Sequence, residues 1–92
     1  MIKTFRHKGI EAFFKTGSKA KIQAVHASRL SRQLLALDKA REAEEMDVPG
    51  WDFHPLSGNL AGHFSVSVNK NWRLTFAFEG QDAILVDYQD YH

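Results

Sequence analysis

The feature that most constrains this chain is a change of hydrophobic period across "MDVPGWD". Pro49 lacks an amide hydrogen and Gly50 permits a turn, so no helix or strand runs through them. Before the break, Ala27, Leu30, Leu34 and Leu37 step by three and four, while Lys, Arg and Glu fill the outer face of the stretch. That spacing predicts an amphipathic helix from a cap at Ser18 to about Glu45. Ahead of it, Ile10, Phe13 and Phe14 predict a shorter helix stopped at Gly17. After the break the period is two. Phe64, Val66 and Val68 alternate with His63, Ser65 and Ser67, while Trp72, Leu74, Phe76 and Phe78 alternate with Arg73, Thr75 and Ala77. "NKN" and "EGQD" are turns, and "AILVDY" is a last strand apolar enough to lie centrally. "MIKTFRH" alternates weakly and reads as a short first strand.

The expected class is therefore α+β: one strand, a helical hairpin, then an antiparallel-rich meander, four to five strands in all, with the helices on one face. Ninety-two residues leave room for one core, so 1–92 is one domain. Without cysteine there is no disulfide, thiolate metal site or cysteine nucleophile. No apolar run is long enough for a membrane span, and the first residues lack a signal-peptide core. These features point to the cytosol.

A formal charge of +1 conceals a separation. Through Arg41, ten Lys/Arg stand against Glu11 and Asp38; from Glu42 on, Lys70 and Arg73 stand against nine acids. A basic segment of this kind either serves a polyanion or is a solvated helix face, and charge alone leaves both open.

Chemistry-bearing side chains are few. Arg73 falls on the sheet face away from Trp72 and Phe76, where a lone arginine is usually just solvated. His54 lies in "DFHPLSG", in a loop where a lone histidine is usually incidental. Asp90, Tyr91 and His92 close the chain, and an α-carboxylate on His92 is expected to favour its imidazolium. Together they suit RNA cleavage by the 2′-hydroxyl. That reaction needs a base, an acid and a cation for the charged phosphorane, and histidine and arginine meet those needs. It requires no metal or other cofactor. No HExxH, phosphate-binding glycine loop or G-x-S-x-G is present.

"FHPLSG", "NWRLTFAF" and the closing "DYQDYH", together with the opening "MIKTFRHKGIEAFF", resemble the HigB family of bacterial toxins, within the RelE superfamily. The likeness runs along the whole chain. It implies a twisted sheet with two N-terminal helices packed on it, and endoribonucleolytic cleavage of messenger RNA in the ribosomal A site. It further implies neutralisation by a helix–turn–helix antitoxin of the HigA type, with operator DNA bound only through the antitoxin complex. The implied catalytic residues are His54, Arg73, Asp90, Tyr91 and His92. Arg73 would stabilise the phosphate, His92 and Asp90 would transfer protons, His54 would make the partner transfer or orient substrate, and Tyr91 would stack or donate a hydrogen bond. Lys15, Lys19, Lys21, Arg29 and Arg32 are candidates for ribosomal RNA. The family often carries lysine after "HPL", whereas this chain has Ser57. Three readings compete: a ParE-like gyrase poison on the same scaffold, a degenerate toxin that only binds antitoxin, and a domain whose histidines are incidental. The absence of a leftover apolar stripe suggests a monomeric toxin.

Overall fold

The Pro49–Gly50 break is the seam of the molecule: helices precede it and the sheet follows. A computed structural model describes residues 1–90. Helix α1 (Lys8–Thr16) begins at His7, whose Nδ1 accepts a hydrogen bond from the Ile10 amide at 3.0 Å. It ends at Gly17, where a φ of 80° lets the amide bond back to the Phe13 carbonyl. Helix α2 spans Ala27–Lys39 and buries Ala27, Leu30, Leu34 and Leu37, the four residues whose spacing predicts it. Each buried leucine contributes about 1.5–3 kcal/mol of apolar burial.

The helix is shorter than its sequence pattern suggests. Residues 17–23 form a connection, Ala24–His26 a 3₁₀ turn, and Ala43–Met46 a second 3₁₀ turn after the helix has ended. Ser18 does not cap α2, and Glu45 instead closes a capping box with Glu42. The physical reason at the C-terminal end is the fully buried Met46, with Ala40 and Ala43 also buried: the chain turns inward to bury them, which a straight helix would not allow.

The sheet is antiparallel in the order β1 (His54–Pro55), β2 (His63–Ser67), β3 (Trp72–Glu79) and β4 (Asp82–Asp90). Strand β4 therefore ends the ladder and is not central. Its outer edge is met by the N-terminal segment through parallel bridges Ile2–Ala83 and Phe5–Val86. The expected first strand is thus two isolated bridges, and its apolar residues explain why β4 is as hydrophobic as a central strand. Between Ala77–Ile84 and Thr75–Asp87 the register shifts by one extra residue on β4. Leu85 there adopts φ 56°, and its amide bonds to Thr4 Oγ1 at 2.8 Å.

The core lies between the helices and one sheet face, with Ile10, Leu30, Leu34, Leu37 and Met46 packed in a single cluster with Val66, Leu74, Phe76 and Val86. A polar knot closes one end of it. His26 Nδ1 lies 2.6 Å from the Tyr88 hydroxyl and Nε2 lies 3.1 Å from Asn69 Nδ2. Asn69 Oδ1 accepts the Lys70 amide, which turns the Asn69 NH₂ toward His26. Nε2 is therefore the acceptor and Nδ1 carries the hydrogen. Trp72 stacks on Tyr88 with ring centroids 4.5 Å apart. Burial pulls His26 below its ordinary pKa and pushes Tyr88 above its own.

Candidate active site

The opposite sheet face carries the polar side chains. Cross-strand partners share a face, so the pairs His54–Ser65, Ser65–Thr75, Thr75–Asp87, Ser67–Arg73 and Arg73–Gln89 place these residues together. Gln89 Nε2 bonds to Thr75 Oγ1 at 3.2 Å and to Asp87 Oδ2 at 3.0 Å, tying β3 to β4 beneath Arg73.

The segment that brings His54 here is pinned at successive residues. Arg29 of α2 donates to the Gly50 carbonyl, and the Ser67 amide donates to the Trp51 carbonyl at 2.7 Å. Phe53 stacks on Phe64, which in turn lies against Phe76. With Phe53 turned to the core, the alternation of an extended chain sends His54 to the open face. Pro55 follows in register with Phe64.

Between Trp51 and Phe53 sits Asp52, at a φ of 50° in the left-handed region. His54 Nδ1 lies 3.1 Å from the Asp52 carbonyl oxygen. A carbonyl can only accept, so Nδ1 holds the hydrogen and Nε2 is left for other chemistry. The carboxylate of the same residue faces Arg73, with Oδ2 3.7 Å from Nη1. The Arg73 side chain is 17% exposed and that of Asp52 is 67% exposed. An ion pair this open contributes roughly 0–1 kcal/mol. One loop residue thus touches both His54 and Arg73.

Asp52 is the site residue that the sequence pattern missed. Its one signal was an aspartate two residues after Pro-Gly, since Asp tolerates left-handed backbone better than most residues.

Asp90 pairs with Trp72 at the exposed end of β4, one step along from the Arg73–Gln89 pair and on the other face by alternation. Tyr91 and His92 lie outside the described residues. Ser57 is exposed in the loop after β1. Among the basic candidates, Lys15 pairs with Glu11 at 2.8 Å and holds that carboxyl below its usual range. Lys19 and Lys21 are exposed in the connection between the helices, and Arg32 is exposed on α2. Arg29 differs from these. Its guanidinium reaches the Ser67 carbonyl at 3.0 Å as well as Gly50, so it ties α2 to the sheet. Among the described residues no three His, Asp or Glu side chains group as metal ligands, and no helix is long and apolar enough to cross a membrane.

A family profile described as "RelE-like toxin of type II toxin-antitoxin system HigB" matches residues 3–92. The chain is 39% identical to "Endoribonuclease HigB" of Proteus vulgaris over the full length of both proteins. It is 35% identical to "Toxin HigB-1" of Vibrio cholerae over 78% of each chain.

Proposed function

Because the chain belongs to the HigB-like toxins, the RelE-like toxins of type II toxin–antitoxin systems, we propose that it is an endoribonuclease that cleaves messenger RNA in the ribosomal A site. The observation that carries this reading is the convergence of a buried-stem guanidinium and a tautomer-fixed imidazole on the open sheet face, at Arg73 and His54.

The chemistry is attack of a 2′-oxygen on the adjacent phosphorus. The P–O5′ bond breaks, leaving a 2′,3′-cyclic phosphate and a 5′-hydroxyl. A base takes the 2′ proton and an acid returns a proton to O5′. Arg73 stabilises the charge that builds on the phosphorane oxygens, using the planar fork that suits phosphate. His54 offers Nε2 for one proton transfer or for orienting the ribose, and His92 supplies the other, with Asp90 at the end of β4 bordering the site from the other face. Tyr91 stacks on a base or donates a hydrogen bond. Lys15, Lys19, Lys21 and Arg32 face ribosomal RNA, while Arg29 serves as a structural tie to the sheet. A HigA-type antitoxin restrains the toxin and links it to operator DNA.

The test is cleavage of a defined message on programmed ribosomes, with a ribosome-free control and end-group analysis. Cuts should map to the A site, require ribosomes and carry the cyclic phosphate. Arg73→Ala and His92→Gln should each lose about 10²-fold or more in rate. Ser57→Lys should cleave faster by adding a cation at the loop. An intact message in the presence of bound ribosomes or antitoxin would replace the enzyme reading with that of a degenerate toxin.

A further inference from the structure

We propose that Asp52 is a positioning residue for RNA cleavage. Its backbone oxygen sets which nitrogen of His54 faces the substrate, and its carboxylate holds Arg73 in place until a substrate phosphate displaces it. The inference rests on the assignment of His54 and Arg73 made above.

Two observations on Asp52, one of its backbone and one of its side chain, lead here, and an electrostatic argument follows from the second. First, Asp52 holds a φ of 50°, which a side chain bearing Cβ adopts at a cost. Such strain persists where the surroundings over-determine it, and here the neighbours on both sides are fixed, by Arg29 at Gly50, by Ser67 at Trp51 and by Phe64 at Phe53. The left-handed turn aims the Asp52 carbonyl at His54 Nδ1 and thereby directs Nε2 away from the loop.

Second, the carboxylate and the guanidinium are unequally placed. Arg73 is largely covered by the sheet face while Asp52 is open to solvent, and they meet through one contact of 3.7 Å. A phosphate offers Arg73 two parallel charge-assisted bonds, which outcompete a single long one to a hydrated carboxylate. A carboxylate and a phosphate at the same Nη1 also repel each other, so RNA entry must move the Asp52 side chain aside. The carboxylate is a placeholder: it lies against Arg73 where a phosphate would bind and lowers affinity for RNA in doing so.

The backbone and side-chain roles separate by substitution. Asn also tolerates left-handed backbone, so Asp52→Asn removes the charge alone. Its KM for programmed ribosomes should fall about threefold to tenfold, with kcat within about twofold of wild type. Asp52→Gly and Asp52→Ala both remove the carboxylate, but only alanine disfavours the positive φ. The alanine variant should show a kcat about tenfold or more below that of the glycine variant. In the RNA-free wild-type protein, ¹⁵N-resolved NMR of His54 should report the Nδ1–H tautomer, a readout independent of activity and of how well any variant folds.

An unchanged or raised KM in Asp52→Asn, equal kcat in the alanine and glycine variants, or an Nε2–H tautomer would overturn the proposal. Arg73→Ala and His54→Gln serve as references. If both lose activity while the Asp52 variants behave as wild type, the positioning role alone falls. If both references keep wild-type rates, the site assignment falls and the role of Asp52 falls with it.

Discussion

His26 and His54 lie on opposite faces of one sheet, and almost everything about them differs. His26 is 2% exposed, and both of its ring nitrogens have partners, Tyr88 and Asn69, with Trp72 alongside. Burial lowers its pKa. His54 is half-buried, has one nitrogen on a backbone oxygen and shares its loop neighbour with an arginine. An imidazole with both nitrogens engaged in a core is a structural bracket. One with a single nitrogen engaged on an open polar face is equipped for proton transfer. Residue type does not separate these roles; the number of satisfied nitrogens and the face of the sheet do.

The sharpest way to break the comparison is to exchange the damage. His54→Gln should lose about 10²-fold in cleavage rate with its thermal midpoint close to wild type. His26→Leu should retain cleavage at a permissive temperature while losing about 1–3 kcal/mol of stability, because Tyr88 and Asn69 are left without their partner. Both are read from denaturant melts run beside ribosome assays. A stable but inactive His26→Leu would collapse the distinction.

A second, smaller effect tests whether the helix side is as tightly packed as the open side is permissive. A Cβ at Gly9 would lie 2.5 Å from Lys21 Cβ and 2.9 Å from His7 Cε1, against the ring that caps α1. Gly9→Ala should therefore cost about 1–3 kcal/mol in the same melts, and a neutral result would mean that the connection at 17–23 yields freely.

The smallest effect is one of pH. The folded state holds His26 below its ordinary value of 6.5. Above that value both states leave it neutral and its contribution to stability is fully present. As pH falls below it, the unfolded chain takes up a proton that the folded chain refuses. Stability then declines by at most about 1.4 kcal/mol per pH unit, until the folded pKa is passed. The groups facing His26 are the Tyr88 hydroxyl, the Asn69 amide and the Trp72 ring, with His7 edge-on to Tyr88 across the knot. Subtracting the stability profile of His26→Leu cancels the carboxylates common to both proteins. The wild type should lose more stability than the variant as pH falls below 6.5, and parallel profiles would mean that the knot tolerates the imidazolium.

Much of the architecture was legible in the linear pattern. The leucine steps at 27, 30, 34 and 37 located α2, and the strict alternation from Phe64 to Phe78 located β2 and β3, because a helix or strand half-covered by a core must repeat its apolar residues at its own period. The break at Pro49–Gly50 divided the two regimes. Placement of Arg73 on the face away from Trp72 followed from the same alternation. The helix ends were less legible, since the inward turn that buries Met46 depends on core residues distant in sequence. The hydrophobicity of β4 pointed to a central strand when the covering came from the N-terminal segment, and an apolar strand looks the same whichever neighbour covers it.

The sequence by itself determined the periods, the break between them, the faces of the strands and, through its resemblance to the HigB toxins, the kind of chemistry to expect. Tertiary structure alone decided that Asp52 touches both His54 and Arg73, that Arg29 is a tie to the sheet, and that His26 is a bracket in the core. Periodicity is a local property, enforced residue by residue along one element. A loop residue whose carbonyl meets an imidazole two positions on, and whose carboxylate meets a guanidinium on β3, joins two segments, and only the folded sheet brings them within reach of one another.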